Sequence, residues 1–149
     1  MKIASLPFLD EHETVIAADA DAVWRGLGEV LDRTSSRRGA TAFVRLLGAA
    51  DRTAAGPRPF AEGSTVPGFR VVTAVPGREL ALVGRHRFSS YALVFRLESA
   101  GPGATRLCAE SRARFPGPAG GAYRLVVVGT GGHVRGVRGL LEAVRRRSE

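Results

Sequence analysis

The 149-residue chain has a formal charge of +8, with 44% apolar and 24% charged residues, a balance that suits one folded domain and excludes wholesale disorder. No run reaches the roughly 18 to 20 apolar residues of a membrane-spanning helix, and MKIASLPFLDEHE carries too short an apolar stretch for a secretory signal. The lone Cys108 excludes an internal disulfide, so a soluble, cytoplasmic protein is expected.

In chain order, HETVIA (12–17) reads as a short strand. Asp19 or Asp21 can cap the helix that follows, its carboxylate accepting a free amide of the first turn. From Ala22 onward, Val23, Trp24, Leu27, Val30 and Leu31 recur at helical spacing. SSRRGA (35–40) breaks that helix, and TAFVRLLGA (41–49) is a second short one. The segment 51–64, rich in Pro, Gly and small polar residues, is a loop, either a lid or slack.

Four alternating runs come next. FRVVTAV (69–75) puts Phe69, Val71, Thr73 and Val75 on one face, and Pro76-Gly77 turns the chain. ELALVGRHRF (79–88) puts Leu80, Leu82, Gly84, His86 and Phe88 inward. YALVFRLE (91–98) contributes Tyr91, Leu93, Phe95 and Leu97. TRLCAESRARF (105–115) contributes Thr105, Leu107, Ala109, Ser111, Ala113 and Phe115. Strict alternation across short turns predicts an antiparallel meander with one solvated face. The dry face then needs helices to cover it.

The stretch VVVGTGGHVRGV (126–137) raises the question of a phosphate-binding loop. A dinucleotide fingerprint needs a third glycine where Val134 stands, and a further strand for which no room remains. A P-loop needs a lysine, and Lys2 is the only one. Read as a helix from about residue 119, the segment aligns Tyr123, Val126, Val127, Thr130, His133, Val134, Val137, Leu140, Leu141 and Val144 on one face. Gly129, Gly131, Gly132, Gly136 and Gly139 oppose that helix by about 1 kcal/mol each. Burial of the inward side chains offsets them, with a kink or break expected near Gly131 and Gly132.

The resulting order is strand, two short helices, meander and long C-terminal helix. AADADAVWRGLGEV (17–30), PGFRVVTAVPGRELAL (67–82) and YRLVVVGTGGHVRGVRGLL (123–141) carry a resemblance to the START-like helix-grip (SRPBCC) superfamily, which includes polyketide cyclase/dehydratase-like proteins. GRHRFSSYALVFRLE (84–98) and ARFPG (113–117) resemble uncharacterised actinobacterial members. The resemblance spans nearly the whole chain. It implies a single α+β domain in which a curved antiparallel sheet wraps a long C-terminal helix, with two short helices after the first strand. It also implies an apolar cavity between sheet and helix. It carries no shared catalytic motif, and fold alone does not imply function.

Inward residues placed to line such a cavity are Phe69, Val71, Leu82, Phe88, Tyr91, Phe95, Ser111, Tyr123, Val127 and Thr130, with small Gly84, Ala109 and Ala113 leaving room. His86 on the central strand and His133 on the opposing helix are the candidate acid–base pair. Each has a plainer reading as a buried histidine bonded to a nearby hydroxyl. The inner face offers no buried carboxylate, which disfavours a hydrolytic triad at Ser111. No histidine and cysteine pair has ligand spacing, so no metal and no other cofactor is expected. Trp24 reads as a core anchor of the first helix.

The basic charge is almost all arginine, which a GC-rich genome also produces. On the outer sheet face Arg85, Arg87, Arg96, Arg106, Arg112 and Arg114 are tempered by Glu79, Glu98 and Glu110. Without aromatics between them, specific nucleic-acid recognition is disfavoured, whereas an acidic protein partner suits the surplus. A homodimer stays open. Three functional readings follow: an enzyme cyclising, dehydrating or isomerising a polyketide-like molecule, a non-catalytic carrier, sensor or resistance protein for an apolar or aromatic ligand, and an interaction protein using the basic sheet face, with a filled core.

Overall fold

A computed structural model describes residues 2–149. The elements run β1 (Phe8–Ile16), α1 (Ala20–Ser35), α2 (Arg38–Leu46), β2 (Thr65–Val66), β3 (Phe69–Val75), β4 (Glu79–Arg85), β5 (Ser90–Ser99), β6 (Thr105–Arg114), α3 (Gly117–Arg124) and α4 (Gly132–Ser148). The strands form one antiparallel sheet in the order β1-β6-β5-β4-β3-β2. α4 lies over the inner face near β1 and β6 and packs against α1. The fold is the expected α+β helix grip. Among the described residues no helix is long and apolar enough to cross a membrane.

The core forms where the period-2 face of the sheet meets the period-3.6 faces of two helices. Phe95, Leu80, Leu82, Leu107 and Ile16 from the strands meet Val23 and Leu27 of α1 and Val137, Leu141 and Val144 of α4. Asp19 caps α1, its side chain accepting from the Ala22 amide, as expected of one of the two candidate acids. Trp24 is partly buried and packs against this core.

Three local features have physical causes. β1 begins at Phe8, before the expected start, because its edges pair with β6 through a bulge between Phe8 and Asp10. β3 also bulges, between Val71 and Thr73, so Ala74 pairs with Leu80 on the inner face and Thr73 and Val75 turn outward. The loop 51–64 is pinned rather than slack: Arg58 bonds the Asp32 carboxylate of α1 and four backbone carbonyls, and Phe60 enters the core.

The long C-terminal helix is two helices. A π-helical turn (Leu125–Gly129) follows α3, and Gly131, at φ 78°, starts α4. Only glycine adopts that left-handed backbone without steric cost. The wider turn and the break shift the helical phase, so Val126 and Thr130 face solvent instead of the sheet. Within α4, Gly139 has open space around its α-carbon and ordinary helical φ. Gly139→Ala is expected to raise stability by about 0.5–1 kcal/mol, read as a higher urea midpoint at unchanged slope.

Candidate functional site

Between the sheet and the helical layer lies a partly open cavity of about 390 Å³. Its walls come from α2 and the end of α1 (Leu31, Thr34, Phe43, Val44, Leu47), from the start of β3 (Phe69), and from β5 and β6 (Tyr91, Leu93, Ser111, Ala113). The broken C-terminal helix closes it with Tyr123, Val127, Val128, His133, Gly136 and Val137. The break therefore has a structural consequence. Residues on both sides of Gly131 reach the same cavity from two differently phased segments.

An aromatic cluster forms one end. Tyr91 meets Phe69 edge-on at 5.2 Å, His86 meets Tyr123 at 4.8 Å, and Phe88 stacks on Tyr123 at 5.7 Å between ring centroids. Such geometry holds rings rigid and leaves apolar faces toward the space between them. The Tyr91 hydroxyl donates to the Gly68 carbonyl at 2.6 Å, and burial raises its pKa above the usual tyrosine value. That hydroxyl is a neutral donor already in use. His86 sits in the β4–β5 turn, where Nδ1 accepts from the Phe88 amide and Nε2 lies 3.0 Å from Ser89 Oγ. Its partners are turn groups, and burial lowers its pKa, which favours the neutral ring. The expected bond to a nearby hydroxyl exists, with Ser89 in the partner's place.

Ser111 differs from every other polar group in the cavity. The residue is 3% exposed, and its Oγ is the one buried side-chain N or O atom among the described residues without a hydrogen-bond partner. Leaving a buried hydroxyl unpaired costs about 1–3 kcal/mol. Groups of that kind in native proteins call for an explanation, and a ligand oxygen supplies one.

Directly across the β1–β6 ladder from Ser111 is Asp10, on the inner face. Its Oδ1 lies 3.3 Å from Nε2 of His133, and its Oδ2 lies 3.3 Å from Nε2 of His12. Side-chain exposures are 23% for Asp10, 21% for His133 and 17% for His12. The inner face, expected to hold no buried carboxylate, thus carries a half-buried one at its β1 edge. Asp10 lies outside the expected strand, which starts at His12, four residues after the observed start at Phe8. Extending the i, i+2 alternation back from Ile16 through Thr14 and His12 finds it.

His86 and His133 line the same cavity but do not bond one another; each is held by different partners. Phe69, Tyr91, Ser111, Tyr123 and Val127 line it. Val71, Leu82 and Phe95 do not: they are packed in the solid core on the α1 side of the sheet. Phe88 stacks behind Tyr123, and Thr130, rotated outward, bonds the Val126 carbonyl. Ala113 borders the cavity as a small residue should, but Ala109 is core. The room at Gly84 is filled by the Tyr91 ring and the Gly68 carbonyl.

On the outer sheet face, Arg96 pairs with Glu79 and Glu110, Arg106 with Glu13 and Glu98, and Arg112 with Glu110. Arg112, with smaller help from Arg96, holds the Glu110 carboxyl below its usual pKa. Cys108 lies buried beneath this layer, and burial together with Glu13 pushes its thiol up to about 11. It is a poor nucleophile there. Among the described residues no group of three or more His, Cys, Asp or Glu is arranged to hold a metal ion.

No family model and no curated protein matches the sequence. Solved structures do match in shape. An uncharacterised protein from Rhizobium leguminosarum superposes with a TM-score of 0.58 at 15% identity, covering 93% of this chain and 95% of that one. Ara h 8.0201 gives 0.56 at 10% identity over 93% and 95% of the two chains. The Aha1 dimer from Colwellia psychrerythraea gives 0.55 at 12% identity over 91% of each. What these likenesses establish is the fold: an α+β helix grip, with a C-terminal helix laid over an antiparallel sheet.

Proposed function

We propose that this protein, as a member of the START-like superfamily, binds a small apolar or aromatic molecule bearing at least one oxygen in the cavity between sheet and helices. The observation that carries this reading is Ser111: a buried hydroxyl with no protein partner, in the wall of a mostly apolar space of about 390 Å³. Apolar walls supply the affinity, and one well-placed polar group fixes orientation. The cavity counts against a filled-core interaction protein, and the ion pairs on the outer face account for much of the basic charge that suggested an acidic partner. Buried, single Cys108 fits a cytoplasmic setting.

Catalysis of the polyketide cyclisation or dehydration kind would run through His133 rather than His86. Both ring nitrogens of His86 have partners in its own turn, whereas His133 has one bonded nitrogen and lines the cavity. A carrier uses the same walls without that step.

The binding test uses 1-naphthol and naphthalene, which differ by one hydroxyl. Wild-type protein is expected to bind both and to gain thermal stability with either. Ala113→Phe, which fills the cavity from β6, is expected to weaken both at least about tenfold, near 1.4 kcal/mol. Ser111→Ala is expected to weaken 1-naphthol about five- to tenfold and leave naphthalene unchanged, the size of one hydrogen bond. Equal binding by wild type and Ala113→Phe, at matched folding, would place the ligand elsewhere.

A further inference from the structure

The cavity and a second, polar groove are each lined by a histidine bonded to the same carboxylate. His133 lines the cavity. His12 lines a groove along the β1 edge with Glu11, Glu13, Arg138 and Glu142. Asp10 lies between, one oxygen on each imidazole. Because a carboxylate accepts hydrogen bonds, each ring presents Nε2–H to it in these contacts. The Nδ1 of His133 is then left with a lone pair and, among the described residues, no partner. Ser111, also unpartnered, stands across the ladder from Asp10.

We infer that Asp10, His12 and His133 form a base centre for the cavity: His133 is the catalytic base, Asp10 the positioning residue that sets its tautomer, and His12 the second donor that holds Asp10. The substrate class is an apolar ring carrying an acidic hydroxyl or an enolisable carbonyl. This rests on the cavity reading above. In the step, Nδ1 of His133 forms a bond to the substrate proton. The O–H or C–H bond breaks, and its electron pair stays on the substrate. The imidazolium keeps its Nε2–H on Asp10, which remains ionised. The proton then returns from Nδ1 to another position of the same molecule, an isomerisation that needs no co-reactant. The neighbouring Arg112 sends its guanidinium to the outer face, to Glu110 and the Leu6 carbonyl, so it does not compete for Asp10.

Two readouts on the full chain test this. The first needs no ligand: nitrogen-15 spectra of the histidine side chains, at a pH where the rings are neutral. Wild type is expected to show Nε2–H at both His12 and His133. An asparagine at position 10 offers one acceptor and one donor, so Asp10→Asn is expected to drive one of the two rings to the Nδ1–H form. Unchanged tautomers in Asp10→Asn overturn the proposal, because a merely structural Asp10 would leave them so. The second uses 4-nitrophenol, whose absorption reports ionisation of its hydroxyl. Bound to wild type, it is expected to be more ionised than free at the same pH. His133→Gln and Asp10→Asn are expected to lose at least half of that excess while binding persists. His12→Gln, which keeps an N–H donor for Asp10, is expected to retain it better than His12→Ala. Binding with no excess ionisation overturns the base centre alone; failure of 4-nitrophenol to bind any form overturns the cavity reading and removes the base's substrate with it.

Discussion

Phe95→Ala is expected to lower the unfolding free energy by about 3–5 kcal/mol, the range for deleting a large aromatic side chain from a packed core. Phe95 is 0% exposed and belongs to the cluster formed with Leu80, Leu107 and the inner faces of α1 and α4. Folded domains of this size retain only about 5–15 kcal/mol in total, so the variant should sit near the edge of folding. Denaturant unfolding measures the loss. Affinity for naphthalene, measured on the folded fraction, is expected to stay within about twofold of wild type, a difference below 0.5 kcal/mol. A small loss of stability joined to a large change in affinity would put Phe95 in the cavity wall, against its placement here.

Gly84→Ala should cost on the order of 3 kcal/mol, at the upper end for forcing extra atoms into packed space. A β-carbon at this position would run into the Gly68 carbonyl and the Tyr91 ring. The ring is flexible only in principle: its hydroxyl is tied to the same Gly68 carbonyl, and its edge contacts Phe69. Backbone from the β2–β3 turn is the harder obstacle. Because Tyr91 also walls the cavity, a shift there should weaken 1-naphthol as well as the fold. Thermal unfolding and 1-naphthol titration read the two effects. A variant as stable as wild type would mean that the turn before β3 moves aside without penalty.

These two residues show how differently parts of the molecule can be read from the chain. Both lie on the inner face of alternating strands, and the alternation identified that face correctly for β4, β5 and β6. Whether an inward residue meets core or cavity is a different matter. Phe95 and Tyr91 stand on the same strand and face, four residues apart, yet one is solid core and the other cavity wall. The difference comes from what lies above each. α1 and α4 cover Phe95, whereas the π-helical turn and α2 stand off from Tyr91 and leave space. In the same way Gly84 reads as room until the Tyr91 ring is seen to occupy it.

Bulges explain most of the remaining misses. A single extra residue in β3 reverses the faces of Thr73 and Val75, because side-chain direction alternates strictly with position. The bulge between Phe8 and Asp10 breaks the alternation at the start of β1, so the period of the chain locates Asp10 but not the strand's first residue. His133 was legible as an inward residue of the C-terminal helix, but its partner was 123 residues away in sequence. Nothing in local pattern links positions so distant.

By itself, then, the amino-acid sequence determined the class of fold, the inner face of β4, β5 and β6, the cap of the first helix and the break at the glycines. Each of these is a local preference, set by side-chain period, by capping chemistry or by the backbone freedom of glycine. Only the tertiary structure decided where the sheet and helices fail to touch, and which polar groups meet at that gap. A cavity is a mismatch between surfaces from distant segments, and Ser111, Asp10, His12 and His133 become a site only when β1, β6 and α4 are brought together.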